Sequence, residues 1–325
     1  MAKTIYIQSR PLQWACDNVP CDCTFEKWIH LNGSAAVVET LLTNARSDHT
    51  PYGGFGQELP AIYTVGSLYQ LVAYNGTEPF TNGPLTQFPL TTHAGILASE
   101  HWAALVNKGG WGLGVFQPGT IHINGGFFGT PGNYGPLDDP TGYLGPNHIE
   151  ILDWDIKYHY RFDLILGDID TIRSYAYQHQ QEIENCLDAQ FTSDRQHWVY
   201  QNAADTGTPN GYWSVTMEQN DPQLIGPNCL WRAEKHPTLY INASFGVEQV
   251  STDAQVFWNT VGLGQNFEEA NSVHFSIVAD GKFHLIEVDL SKSPSYKGNV
   301  FGLRFDPVVM GTKGSYVNIA FITLK

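Results

Sequence analysis

Between residues 152 and 166 every second side chain is apolar or aromatic: Leu152, Trp154, Ile156, Tyr158, Tyr160, Phe162, Leu164 and Leu166. The residues between them are Asp153, Asp155, Lys157, His159, Arg161, Asp163 and Ile165, nearly all charged or polar. A period of two is the pattern of a strand buried on one face. At roughly 3.3 Å per residue this strand would span about 45 Å, well beyond the usual length. Such a strand requires a large antiparallel sheet, bent across a sandwich, and that requirement sets the fold class as all-β.

The rest of the chain agrees. Residues 4–8 read as a first strand. Residues 28–31 and 36–42 read as a hairpin closed by Asn32-Gly33, a pair suited to the tight primed turn. Residues 100–106 and 111–116 form a second hairpin around Gly109-Gly110. Two long Gly-rich stretches, 43–58 and 118–146, read as loops, and long loops on rigid sheets often carry function. Residues 175–190 are the one stretch with helical spacing, with Ile183, Cys186 and Leu187 on one face. They read as a surface linker helix, which divides the chain into a long-stranded sandwich (1–178), a linker (179–195) and a second sandwich (196–325). In the second part, short strands alternate with turn signals up to residue 324, the pattern of a β-sandwich or jelly roll. There Phe301, Leu303 and Phe305 are expected on one face, and Val317, Ile319 and Phe321 on another.

The charge balance narrows the partners. Seventeen basic against 32 acidic residues give a net charge of −15. A nucleic-acid binder shows a basic stripe, and an anionic membrane surface would be repelled, so neither is an expected partner. No stretch has the length and apolarity of a membrane span, and no signal peptide is visible. The five cysteines include Cys16, Cys21 and Cys23, a cluster without zinc-ligand spacing that fits a disulfide or buried thiols. Nine Trp, 16 Tyr and 17 Phe supply sheet cores and leave rings for stacking on sugars.

Two resemblances bear on this. The text Asp280-Gly281-Lys282-Phe283-His284-Leu285-Ile286-Glu287-Val288-Asp289-Leu290, then Gly302-Leu303-Arg304-Phe305-Asp306-Pro307, then residues 317–324, resembles the jelly-roll modules attached to polysaccharide-degrading enzymes. That resemblance implies carbohydrate binding, a secreted or cell-surface location, and a structural Ca²⁺, with no other cofactor required. The first half, through Leu42-Thr43-Asn44, its long strands and residues 158–167, resembles a galactose-mutarotase-like supersandwich. Mutarotases carry an Asn-His-x-Tyr-Phe type of motif and a His/Glu acid–base pair. Asn44-Ala45-Arg46-Ser47-Asp48-His49 departs from it, so the resemblance implies the fold and not mutarotation.

Candidate chemistry follows from residue types. Glycoside hydrolysis uses two carboxyl groups straddling the bond. Glu58 closes a Gly-rich loop, and Glu100-His101-Trp102 brings acid, base and ring together, so Glu58, Glu100 and His101 are the catalytic candidates. Arg46 and His49 on the first loop, and His159 and Arg161 on the polar face of the long strand, are candidates for fixing sugar hydroxyls. Trp213, beside the Asn210-Gly211 turn, and Trp231 are candidate stacking rings. The histidines His93, His101, His122, His148 and His159 crowd the middle of the chain, but no His-x-His pair marks a metal site. The sequence therefore reads as a protein that binds a polysaccharide or oligosaccharide, or as the non-catalytic region of a larger polysaccharide-processing enzyme. Alternatives are a glycoside hydrolase using a carboxylate pair, ahead of a lyase, and a structural surface-assembly protein.

Overall fold

The structure, a computed structural model, describes residues 3–13, 16–132, 140–184 and 188–325. It is all-β, built as two antiparallel sandwiches in series. Among the described residues the first sandwich has an eight-stranded sheet in the order Thr4–Ser9, Cys23–Asn32, Ala35–Asn44, Ile156–Asp168, Trp111–Phe116, Trp102–Val106, Gln70–Ala73, Thr86–Gln87. Facing it are Ala94–Leu97, His122–Phe128, Thr141–Glu150 and Phe55–Glu58, with Ile62–Tyr63 also paired to Thr141–Glu150. Leu42, Leu71, Leu105, Ile123, Leu144, Tyr158, Tyr160 and Phe162 fill the space between the sheets.

The long strand is central, but it starts at Ile156 and not at residue 152. The alternating pattern runs on through residues whose backbone is engaged elsewhere. Asn44 Nδ2 donates to the carbonyls of Leu152 and Asp153, at 2.8 and 2.9 Å, and Asp155 turns the chain with a φ of 56°. From Ile156 the alternation holds, with Ile156, Tyr158, Tyr160 and Phe162 buried and Lys157 and His159 exposed. It then fails at Asp163 and Ile165, which are both fully buried, while Leu166 is 52% exposed. A helix, Ile169–Gln178, follows the strand directly and folds back over its outer face, bringing Ile172 and Tyr175 against Ile165. Tyr175 Oη donates to Asp163 at 2.9 Å, and Arg161 adds a two-pronged contact at 3.1 and 2.9 Å. Gly114 makes this possible, because a Cβ there would overlap Ile172.

This helix lies earlier than the expected linker and belongs to the first sandwich. Asp168 caps it by accepting from the Thr171 amide at 2.8 Å. A short turn of helix, Gln180–Glu184, follows, and Cys186 and Leu187 lie outside the described residues. Asp188–Gln190 already pairs with Tyr316–Leu324, so the second sandwich begins inside the stretch read as linker.

The segment 118–146, expected as a loop, contributes two strands, His122–Phe128 and Thr141–Glu150. Its glycines are where neighbours come too close for a side chain. A Cβ on Gly125 would lie 2.8 Å from Leu71, and one on Gly142 would lie 2.7 Å from Leu105. The part of that expected loop carrying Asn133, Tyr134, Asp138 and Asp139 lies outside the described residues.

The second sandwich pairs two sheets. One runs Ala203–Asp205, Trp213–Met217, Tyr316–Leu324, Thr238–Phe245, His284–Asp289; the other runs Val199–Gln201, Gln223–Ile225, Asn299–Asp306, Asp253–Thr260, Ser272–Ser276. Two bulges undo the expected shared faces. Trp258 pairs with Leu303 and Asn259 with Phe301, leaving Gly302 unpaired at a φ of +65°, so Phe301 turns away from Leu303 and Phe305. A register shift opposite Asn242 and Ala243 leaves Ala320 unpaired, so Ile322 and not Phe321 joins Val317 and Ile319 in the core.

The redirected Phe301, with Leu230 and Val261, enters a third core with Trp102, Ala104, Phe116 and Ile172 of the first sandwich. Asn299 Nδ2 also donates to the Thr77 carbonyl across the junction at 2.9 Å. The two sandwiches therefore share apolar packing.

Glu100 is the anchor of the helix. It is fully buried, and Arg173 donates to both of its oxygens, at 2.8 and 3.0 Å. Trp102 Nε1, Tyr177 Oη and the Phe80 amide donate to the same carboxylate at 3.0, 2.9 and 3.0 Å. Removing one partner of a buried pair leaves the other charge uncompensated. Glu100→Ala is expected to lower unfolding free energy by roughly 3–5 kcal/mol in urea titrations. Glu58→Ala, which gives up half-buried hydrogen bonds from Asn124 and Tyr143, should lose less, about 1–2 kcal/mol. Equal losses would contradict this role for Glu100.

Candidate functional site

A cleft of about 830 Å³ opens where the sandwiches meet. Lys157, His159 and Arg161 of the long strand and Glu39 beside them line one side. The Gln117–Gly119 turn and the end of the Thr141–Glu150 strand form a second wall, and residues 188–198 of the second sandwich form the third. The sheet register extends the first side into a platform. Tyr6, Trp28, Glu39 and Arg161 are cross-strand neighbours in one row, and Leu41 and His159 lie in the next. Cross-strand neighbours point to the same face, so the half-buried Trp28 stands beside polar groups at the cleft edge.

At the base of the cleft is a buried polar group. Strand alternation puts His148 and Glu150 on one face, with Ile149 turned outward and 56% exposed. The Glu150 carboxylate is only 4% exposed, and Tyr158 Oη donates to its Oε1 at 2.8 Å. His197 Nδ1 lies 2.8 Å from the same oxygen, and His148 Nδ1 lies 3.8 Å from it. His197 comes from the second sandwich. It and Gln196 are consecutive non-glycine residues at positive φ, 67° and 46°, a conformation that needs outside support. The Gln196 side chain provides that support by accepting from the Gln190 amide at 3.0 Å and donating to the Gln190 carbonyl at 2.9 Å.

These environments push the groups apart. Burial holds His148 well below the ordinary histidine range, and His197, His122 and His101 reinforce it. Burial also works against charge on His197, but the Glu150 carboxylate outweighs it, and that pKa is raised. Burial first, then Glu150, pushes the Tyr158 phenol far up. Burial thus keeps the His148 imidazole neutral and the Tyr158 phenol protonated beside Glu150 and His197, a set of groups able to hold a cation or to exchange a proton.

Of the residues singled out from sequence, His159 and Arg161 line the cleft. The others do not. Glu100 is the helix anchor, fully buried with its oxygens taken by five donors, and lies outside the cleft lining. His101 is fully buried in a turn at a φ of 61°, with Nδ1 held 3.2 Å from the Gln117 carbonyl. Glu58 sits half-buried on the other sheet, accepting from Asn124 Nδ2 at 3.1 Å, so it forms no carboxylate pair with Glu100. Arg46 lies over the Tyr52 ring at 4.7 Å, and His49 stacks on Trp154 at 3.8 Å, in a loop cluster outside the cleft. Trp213 and Trp231, at 0% and 3% exposure, are core residues whose indole nitrogens donate to Asp205 and Tyr296. A glycine in the preceding turn had suggested an exposed Trp213, but the ring points inward. Cys21 and Cys23 form a disulfide, and Cys16 is exposed.

Taken singly, Trp28, Glu150 and His197 carry no local pattern that marks them as cleft residues, and His148 stands out only as one of several histidines in the middle of the chain. His148-Ile149-Glu150 carries a local signal, two polar ligand types at strand spacing around an apolar residue. His197 carries none, since only the tertiary fold brings it to Glu150.

No protein-family model matches the chain, and no curated protein matches it in sequence. Solved structures do align with it. A low-affinity xylan-binding module from Roseburia intestinalis aligns at 10% identity and a TM-score of 0.31, over 42% of this chain and 92% of the module. A protein assigned as an aldose 1-epimerase from Escherichia coli K12 aligns at 12% identity and a TM-score of 0.34, over 51% of this chain and 66% of its own. A family 43 glycoside hydrolase from Bacillus subtilis, an arabinoxylan arabinofuranohydrolase solved with cellotetraose, aligns at 10% identity and a TM-score of 0.27, over 99% and 93%. At TM-scores this low the likeness says nothing about the cleft.

Burial pushes His101 and His122 down to about 4 from 6.5. Each takes up a proton in the unfolded chain near pH 6.5 but resists it when folded until about pH 4. Stability is therefore expected to fall as pH drops through that window. His101→Asn, a residue that tolerates positive φ, should remove on the order of 2–3 kcal/mol of the loss between pH 7 and 4.5 in urea titrations. Identical pH slopes for variant and parent would refute the assignment.

Proposed function

We propose that this is a carbohydrate-directed protein that lays an oligosaccharide along the open face of the long-stranded sheet and into the cleft between the sandwiches. The observation that carries the reading is the continuity of that face. A half-buried indole, Trp28, stands in one cross-strand row with Glu39 and Arg161, and the row ends in a cavity large enough for a short glycan. An aromatic face suits the apolar side of a pyranose, and flanking carboxylate, imidazole and guanidinium groups suit its hydroxyls. The mixed signs of Glu39, Lys157, His159 and Arg161, on a chain of net charge −15, favour a neutral glycan over a polyanion.

A second reading, hydrolysis of the bound glycan, is favoured by the acidic groups in the same cleft. Glu39, Glu150, Glu182, Asp188 and Asp194 all line it, whereas the Glu58 and Glu100 pair expected from sequence does not. Release of reducing ends from a polysaccharide panel, abolished in Glu150→Gln, would select it over binding alone.

Affinity electrophoresis against soluble polysaccharides, including xylans and mixed-linkage glucans, tests the primary reading. At least one should retard the chain. Trp28→Ala and His159→Ala should each weaken that binding, Trp28→Ala by roughly tenfold, equivalent to about 1.4 kcal/mol. Trp213→Phe should bind like the parent. Unchanged mobility on every polysaccharide, or parent-like binding by both cleft variants, would sink the proposal.

A further inference from the structure

We propose that His148, Glu150 and His197 form a site for a divalent transition metal, Zn²⁺ being the best fit, with its open coordination positions facing the cleft. One donor atom from each residue lies within 4.8 Å of the others, close enough to share an ion after small side-chain adjustments. Two imidazoles and a carboxylate are a donor set for zinc and its first-row neighbours. Calcium or magnesium would call for oxygen ligands.

Three further observations point to a ligand. His148 is 5% exposed, its Nε2 has no hydrogen-bond partner, and the nearest carboxylate oxygen to its Nδ1 is 3.8 Å away. A buried imidazole so poorly satisfied is costly unless something else occupies it. Glu150 is a buried carboxylate with no Lys or Arg among its ion-pair partners, only the two histidines. A bound cation would set a full positive charge against that carboxylate. His197 is carried to the site on consecutive left-handed residues, strain of a kind that persists where a side chain must be aimed.

The surroundings fit as well. Gly119 lets the turn above the site pass close, since a Cβ there would lie 3.2 Å from His148 Cε1. Tyr158 donates to Glu150 Oε1, the outer contact that orients a ligating carboxylate. Three protein ligands leave a fourth position open to the cleft, the pattern of reactive and not purely structural zinc sites. This inference does not depend on the glycan reading, because the metal alone is the probe.

The full chain, stripped with a chelator and dialysed, is titrated with Zn²⁺ by calorimetry and with Co²⁺ by visible absorption. Saturation near one equivalent per chain and a Co²⁺ ligand-field band are expected. His197→Ala and Glu150→Gln should each weaken binding by more than about 100-fold, beyond the range controlled by outer partners. Glu150→Gln keeps an acceptor for Tyr158, and the thermal midpoint of each metal-free variant checks that it is folded. His274→Ala removes the surface histidine beside Asp253 and Glu269 and should bind like the parent. No saturable binding by the parent, parent-like binding by both cleft variants, or loss of binding in His274→Ala instead, would overturn the proposal.

Discussion

The apolar junction between the sandwiches decides what the molecule can do. Phe301, Leu230 and Val261 reach from the second sandwich onto the outer face of the eight-stranded sheet, among Trp102, Phe116 and Ile172. Burying a side chain of this size contributes about 1.5–3 kcal/mol, so the contact is strong enough to hold the sandwiches in one relative position. The cleft depends on that position. Its sheet wall and Glu150 come from one sandwich, and His197 and residues 188–196 come from the other. A loose linker would give two surfaces that met only occasionally.

The strands were legible wherever the local pattern reported a single packing environment. The extents of the strands at residues 238–245 and 316–324 are legible, because each lies in one sheet over one core, although the bulge between them turns Phe321 off the core face. Legibility failed where an element answers to two environments. Asp163 and Ile165 are buried by a helix on the face that alternation assigns to solvent. Gly125 and Gly142 resemble loop residues, yet they sit in strands where Leu71 and Leu105 of the facing sheet occupy the space above them. At Gly302 a single extra residue reverses the face of Phe301 and creates the junction, and nothing in the local sequence distinguishes that glycine from a turn.

The candidate site shows a similar limit. His159 and Arg161 reach the cleft because the polar side of a long strand is a surface. Glu100-His101-Trp102 looked like an acid, a base and a ring, and all three serve structure: the acid is neutralised by Arg173, the base is sealed in a turn, and the indole donates to the acid. Residue type alone could not separate this triplet from His148-Ile149-Glu150. The difference is in the donors around each carboxylate. Glu100 receives five, including a guanidinium gripping both oxygens, whereas Glu150 receives a phenol and faces imidazoles. Of these two buried carboxylates, Glu150 is the one the fold leaves with fewer donors.

The paired left-handed residues Gln196 and His197 carry a consequence for how this molecule can be divided. Their geometry is set by Gln190, within the second sandwich, but its result is felt in the first, at Glu150. Each sandwich has its own core and the two share a third, so neither sandwich alone contains the cleft. A survey that treats the chain as two independent modules would find two sandwiches and miss the space enclosed where they meet.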